Sequence, residues 1–164
     1  MRRKPTDDKP QPSAFSKGLG MLTRREHSSR EIKRKLAQKG YEREESTAAL
    51  DKLQELDFQS DERFGGALIR TRIAQGYGPR RIVYEVRGHG LTDVEVRALI
   101  EAEAPDWLAI ARANYRRKYG TRPVADAAER SKRAQFLLRR GFDAATVRTV
   151  TRADDVDDSA EEFE

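Results

Sequence analysis

The stretch "RIVYEVRGHGL" at residues 81–91 is a basic amphipathic helix pattern that ends in a glycine followed by an apolar residue. The same pattern occurs in "EIKRKLAQKGY" at residues 31–41 and in "AQFLLRRGF" at residues 134–142, which places the closing glycines 50 and 51 residues apart. An apolar residue stands four positions before each glycine: Leu36, Val86 and Leu137. Self-similarity at a fixed period indicates repeated supersecondary units packed against one another.

Each repeat contains three helical segments, and no segment alternates apolar and polar residues for long enough to predict a strand. We therefore predict an all-α fold, an elongated array of three tandem three-helix repeats of the helix-turn-helix type. The predicted repeats span residues 15–58, 59–104 and 105–152. A disordered proline-rich head at residues 1–14 is expected before them, and a disordered acidic tail at residues 153–164 after them.

The window "GYGPRR" at residues 76–81 has three possible interpretations: a phosphate-binding loop, a catalytic turn or a joint between two helices. The glycine and lysine spacing of a phosphate loop is absent, and no strand precedes the window as a dinucleotide turn requires. Gly76 suits the end of one helix and Pro79 the first turn of the next. The helix joint is therefore predicted. It places Arg80 and Arg81 at an exposed helix start, where backbone N–H groups also favour an anion.

The sequence contains few residue patterns that could support catalysis or bind a metal ion. The chain has no cysteine, so disulfides, thiolate nucleophiles and cysteine-ligated zinc are excluded. His27 and His89 lack the spacing of metal ligands, and no serine, histidine and aspartate set accompanies a nucleophile turn. We predict no enzymatic activity, no cofactor and no metal site. No apolar run reaches the length of a membrane span and no apolar leader follows the basic start, so a cytoplasmic location is expected.

The charge distribution points to a polyanionic partner. Residues 153–164 carry seven acidic side chains and no basic ones, so removing them raises the formal net charge from +5 to +12. A body this basic suits a partner whose counterions are released on binding. The basic residues that we predict as contacts form clusters in all three repeats: Arg24 and Arg25; Arg70 and Arg72; Arg80 and Arg81; Arg116, Arg117 and Lys118; Arg139 and Arg140. Most aromatic residues are expected in the core, with base stacking on Tyr77 or Tyr84 as an alternative.

Four strings together resemble the bacterial regulatory protein RecX family: "LTRREHSSREIKRKLAQKGY", "SDERFGGALIRTR", "GYGPRRIVYEVRGHGL" and "KRAQFLLRRGF". The resemblance runs from about Phe15 to Arg152. It implies a cytoplasmic, all-helical protein that binds the filament of RecA recombinase on single-stranded DNA. The closed ends of the repeat array favour a monomer. The resemblance further implies inhibition of the ATPase, strand-exchange and co-protease activities of RecA, with no catalytic residues to carry over. DNA itself is expected to be bound weakly, or only within the filament.

Two other functions stay open on the sequence. The first is a stand-alone DNA-binding helical-repeat protein that uses its glycine-linked helix pairs as helix-turn-helix units, although no recognition helix stands out. The second is an RNA or nucleoid scaffold, which the charge alone supports. The head and the acidic tail lie outside the resemblance, and Ser46 occupies a position where the other two repeats have valine.

Overall fold

The computed structural model describes the backbone of residues 11–160 and the side chains of residues 11–152, and the regular structure within this range is entirely α-helical. The helices are α1 (Ala14–Leu22), α2 (Ser29–Gln38), α3 (Arg43–Glu55), α4 (Asp61–Ala74), α5 (Pro79–Arg87), α6 (Asp93–Glu103), α7 (Trp107–Tyr119), α8 (Ala127–Arg140) and α9 (Ala144–Ala160). They group by threes in the order that the repeats predict. The all-α class and the three three-helix units are therefore confirmed.

The helices form two compact bodies. The first ends at Asp61 and holds α1, α2 and α3, while the second begins at Glu62 and holds the remaining helices. The second body has two apolar cores, one for each of its repeats, and Trp107 packs against both of them. A large side chain that is shared by two cores couples the burial of apolar surface in both, so the second and third repeats form one body.

The repeated positions have equivalent surroundings in all three units. Leu36, Val86 and Leu137 are all 0% exposed. The residues that follow the repeat glycines are also buried: Tyr41, Leu91 and Phe142. Each of the three glycines has a left-handed backbone, with φ of 86° at Gly40, 103° at Gly90 and 95° at Gly141. A residue with a β-carbon adopts this conformation only at a cost, which explains why glycine recurs at this place in the period.

Local capping fixes where several helices begin. The Ser28 hydroxyl accepts a hydrogen bond from the Glu31 N–H at the start of α2. At α6, Thr92 and Glu95 form a complete capping box, in which each side chain accepts a hydrogen bond from the other residue's backbone N–H. These bonds satisfy N–H groups that have no partner within their own helix. Ser46, the odd residue of the first repeat, is buried in α3 like its valine counterparts.

The helices extend past the predicted boundaries of the folded region at both ends. Residues 1–10 of the predicted head and residues 161–164 of the predicted tail lie outside the described residues. Ala14, the last residue of the predicted head, is instead the buried first residue of α1. The Tyr41 hydroxyl donates a hydrogen bond to the Pro12 carbonyl, so this part of the head is tied to the first repeat. At the other end α9 continues to Ala160, past the predicted start of the tail, because elongating a packed helix is far easier than starting one.

Within residues 11–160 no helix combines the length and the apolar character that a bilayer span requires.

Candidate interaction surface at the joint of the second and third repeats

The window at residues 76–81 is the joint between α4 and α5, as predicted. Gly76 has a φ of 77° and Pro79 is the first residue of α5. The joint also packs against the turn between α8 and α9. The Gly78 N–H donates to the Arg140 carbonyl at 2.8 Å, and the Arg80 N–H donates to the Gly141 carbonyl at 3.1 Å. These bonds join the backbones of the second and third repeats.

The two glycines of this contact allow the backbones to approach. A β-carbon at Gly78 would lie 2.4 Å from the carbonyl carbon of Gly141, and one at Gly141 would lie 2.6 Å from the backbone nitrogen of Arg81. The φ of Gly78 is −84°, a conformation that any residue adopts. Glycine at position 78 is therefore explained by the close approach alone.

The expectation that the start of α5 offers N–H groups to an anion is wrong for two of these groups. The Gly78 and Arg80 N–H groups already donate to carbonyl oxygens of the neighbouring turn. A donor that is used in this way cannot also bind a phosphate. The charge at this joint is consequently carried by side chains, and both Arg80 and Arg81 are exposed.

Asn114, which the sequence analysis did not single out, completes the joint. Its Nδ2 donates to the Gly76 carbonyl at 3.1 Å and to the Ile110 carbonyl at 2.9 Å. Its Oδ1 accepts a hydrogen bond from Arg117 at 2.8 Å. Asn114 is only 4% exposed and lies beside the apolar face of α7. A polar residue next to buried alanine and tyrosine positions in a helix was the signal that could have revealed it.

A row of alternating cations and aromatic rings crosses the joint. The guanidinium carbons of Arg81 and Arg140 lie 4.8 and 4.9 Å from the centre of the Tyr77 ring. Arg140 also lies 5.7 Å from the centre of the Phe136 ring, and the Lys118 ammonium lies 3.9 Å from the same centre. We call Arg81, Tyr77, Arg140, Phe136 and Lys118 the cation–aromatic strip. It brings together candidates from three separate clusters of the sequence.

Three of the predicted contact residues are instead committed to ion pairs within the protein. Arg25 pairs with Glu31, Arg70 with Glu103 at 2.9 Å, and Arg72 with Glu85 through two hydrogen bonds. The Arg72 hydrogen bonds lower the pKa of the Glu85 carboxyl, against the effect of its partial burial. A guanidinium that is held by a carboxylate has less charge to offer a partner, so these three arginines are weaker contact candidates than the sequence indicated.

The remaining predicted contacts lie on the surface. Arg24 is exposed after α1, and Arg139 and Arg116 are exposed in the last turns of α8 and α7. Arg117 is also exposed, although it donates to Asn114. Among the predicted candidates, the joint therefore brings together Arg80, Arg81 and Arg140, and Lys118 reaches them through the Phe136 ring. All four lie in the second body.

The first body contains a partly buried charge cluster around Glu31. Burial alone would raise the pKa of the Glu31 carboxyl, but hydrogen bonds from Arg25, Lys35 and His27 outweigh it and lower this pKa to about 2. His27 Nδ1 lies 3.0 Å from Glu31 Oε2, and burial lowers the pKa of His27. His27 thus has a structural partner just before α2, and the cluster explains both residues without a catalytic role.

A second buried charge was also missed from the sequence. Arg133 is 3% exposed, donates to the Tyr115 hydroxyl at 3.1 Å and to Glu129 at 3.0 Å, and bonds the carbonyls of Arg122 and Pro123. It therefore fixes the loop between α7 and α8. Within the string "ERSKR" nothing distinguishes this arginine from the exposed charges on either side.

Among the described residues, no group of three or more histidine, aspartate and glutamate side chains lies close enough to hold a metal ion.

Three family models match the chain in order. The model described as RecX, first three-helix domain, matches residues 14–53; the second three-helix domain matches residues 60–99, and the third matches residues 105–151. The three matches coincide with the helix groups α1–α3, α4–α6 and α7–α9.

Curated relatives and solved structures agree with the family models. The chain is 41% identical over 138 residues to the Regulatory protein RecX of Xanthomonas axonopodis pv. citri (strain 306), which covers 84% of this chain and 85% of the relative. It is 40% identical over 153 residues to the protein of the same name from Stenotrophomonas maltophilia (strain R551-3), covering 93% and 91%. The crystal structure of RecX from Lactobacillus salivarius superposes with a TM-score of 0.72 at 18% identity, over 87% of this chain and 95% of that chain. This last likeness concerns the fold alone.

Proposed function

The chain belongs to the RecX family, and from that premise we propose that it is a non-enzymatic regulator of DNA recombination and repair. We propose that it binds the filament of RecA on single-stranded DNA and inhibits the ATPase, strand-exchange and co-protease activities of RecA. The curated relatives are named regulatory proteins, which supports a role exerted through binding.

The observation that carries this proposal is the interlocked joint of the second and third repeats. It holds Arg80 and Arg81 from one repeat beside Arg140 from the next. A filament repeats the same surface along its length, so a fixed group of arginines from two repeats favours contact at several points at once. Rigid placement also reduces the side-chain entropy that is lost on binding, and the positive field speeds encounter with an anionic assembly.

The direct test is ATP hydrolysis by RecA on single-stranded DNA while this protein is titrated in, at two salt concentrations. We expect inhibition at amounts below one protein per RecA subunit, since blocking a few filament positions affects many subunits. We also expect higher salt to weaken the inhibition, because the proposed contacts release counterions. Unchanged hydrolysis at a clear excess of this protein contradicts the proposal.

The joint is tested by reversing its charge with Arg80→Glu and Arg81→Glu in one variant. We expect this variant to inhibit RecA at least tenfold less well while its far-UV circular dichroism stays that of the parent. The matched control reverses two charges outside the joint, Arg97→Glu together with Arg112→Glu, since both are exposed arginines, on α6 and α7. Equal inhibition by the joint variant and the control removes the joint from the contact surface.

A further inference from the structure

The cation–aromatic strip has features that a surface of scattered charges lacks. Its members alternate in kind, and each cation lies within 6 Å of the centre of a ring, as cation–π attraction requires. Tyr77 and Phe136 are half-buried, so the rings are fixed by the protein and in turn hold the cations above them. The positive groups are thereby pre-organised.

The positive charges of the three cations in the strip are available to a binding partner. Within residues 11–152, none of Arg81, Arg140 and Lys118 forms a salt bridge. Glu85 borders the strip, but its carboxylate is bound by both ends of the Arg72 guanidinium. The three cations therefore form no ion pair of their own within these residues. The pKa of Glu85 is lowered mainly by its hydrogen bonds from Arg72 and to a smaller extent by the charge of Arg81.

An exposed aromatic residue stands next to these cations. Tyr84 is 83% exposed, lies one helical turn after Arg81 on α5 and borders the same shallow depression as Tyr77 and Arg81. A helix surface rarely leaves a tyrosine this exposed for the sake of folding, because the ring gains no burial there. Its flat face is open to a planar group.

We infer that the strip together with Tyr84 binds one strand of unpaired nucleic acid directly, with phosphates on Arg81, Arg140 and Lys118 and a base stacked on Tyr84. Basic grooves with aromatic stacking platforms are the usual means of binding single strands without sequence preference. A duplex hides the faces of its bases and does not use the tyrosine. The acidic side chains of a protein segment would use the cations, but a small carboxylate offers Tyr84 no ring to stack on.

This inference does not rest on the proposed function, because it concerns binding in the absence of RecA. The test is fluorescence anisotropy of a labelled 20-nucleotide oligo(dT) titrated with the full chain. Base stacking is worth about 1 to 3 kcal/mol. Tyr84→Ala is therefore expected to weaken the affinity about 5- to 150-fold, and Tyr84→Phe, which keeps the ring, to preserve it. Arg81→Gln should reduce the slope of log affinity against log salt by about 0.7.

Arg97→Gln is the control of equal charge change outside the strip, and a 20-base-pair duplex is the control ligand. We expect Tyr84→Ala to leave duplex binding unchanged. If Tyr84→Ala weakens the affinity for oligo(dT) and for the duplex equally, the strip is overturned and only general electrostatic attraction is left. The same holds if Arg81→Gln and Arg97→Gln weaken oligo(dT) affinity equally. Oligo(dT) affinity that survives both Tyr84→Ala and Arg81→Gln overturns it too, as does a polyglutamate peptide that binds the strip while oligo(dT) does not.

The RecA ATPase assay separates this inference from the proposed function. A Tyr84→Ala protein that loses oligo(dT) binding but still inhibits RecA supports two separate contacts. A parent protein that binds oligo(dT) through the strip but leaves RecA unaffected supports the strip and contradicts the proposed function.

Discussion

The turns at Gly40 and Gly141 have almost the same backbone and very different surroundings. Their φ angles are 86° and 95°, and each turn closes a basic helix of its repeat. A β-carbon at Gly40 would meet no atom within 4 Å, whereas one at Gly141 would press on the backbone of Arg81. The first glycine serves the conformation of its turn, and the second also serves the packing of two repeats.

The two bodies of the protein are correspondingly held by different interactions. The first repeat has a partly buried charge cluster around Glu31, whereas the second and third repeats are joined by backbone hydrogen bonds at Gly78 and Gly141. Side-chain pairs depend on pH and salt, while a backbone contact between glycines depends on the absence of a β-carbon. The same repeated sequence pattern is thus stabilised by different interactions in the two bodies.

The largest effect is expected for Gly141→Ala, which adds both a strained φ and a clash. Left-handed strain and overpacking together should destabilise the second body by about 3 kcal/mol or more. Trp107 is the only tryptophan of the chain and lies in this body, so its fluorescence during chemical denaturation measures the loss. Gly78→Ala adds the steric clash without the left-handed strain, so it should cause most of the same loss of stability. A loss at Gly141 no larger than that at Gly90, where a β-carbon meets nothing, contradicts the close approach.

Glu31→Gln tests the charge cluster of the first body. The pKa of Glu31 is lowered from 4.5 to about 2, so its stabilising contribution is present above pH 4.5 and is lost as the pH falls from 4.5 toward 2. At pH 7 the variant should lose about 2 to 3 kcal/mol. Its stability should also vary less between pH 5 and 2 than that of the parent.

Hydrogen exchange in α1, α2 and α3 followed over this pH range locates the effect of Glu31→Gln in the first body. The exposed Glu44→Gln on α3 is the control. A parent protein whose first body is equally stable at pH 5 and pH 2 refutes the lowered pKa.

Asn114→Ala probes the side-chain part of the joint. It removes the donor to the buried Gly76 carbonyl, and leaving such a group unpaired should cost about 2 kcal/mol. Trp107 fluorescence again reports the loss, with the exposed Ala113→Ser on the same helix as control. If Asn114→Ala is as stable as the parent, water replaces the amide and the joint depends on its backbone bonds alone.

The smallest loss of stability is expected at Gly40, where a β-carbon strains the backbone but meets no other atom. Gly40→Ala should cost about 1 kcal/mol through the left-handed strain. Gly40→Asn should cost less, because asparagine tolerates this conformation better than alanine. Hydrogen exchange at the end of α2 measures both. Equal losses for Gly40→Ala and Gly141→Ala would erase the difference between the two turns.

The period of the sequence predicted the helices and their buried positions because it reports residues that are needed inside each repeat. Leu36, Val86 and Leu137 could be identified in this way, as could the repeat glycines. The joint could not be identified from the sequence, because Gly78 and Gly141 are far apart in the chain. The presence of each glycine is also explained well enough by its own turn. The basic clusters were visible, but which arginines pair with carboxylates is decided in three dimensions. Arg72 forms hydrogen bonds to Glu85 on the next helix, whereas Arg81 lies over the Tyr77 ring. The strip itself required Phe136 and Tyr77 to come from different repeats.

The contact between Gly78 and Gly141 has a consequence for how such a chain can evolve. Neither position can acquire a larger residue alone, so the two are expected to stay small together among descendants that keep this packing. A duplicated copy of a repeat could be inserted between the second and third only if it carried both halves of the contact, one for each new neighbour. Growth of the array by duplication is therefore constrained at this joint, because both glycines must keep a hydrogen atom where other residues carry a side chain.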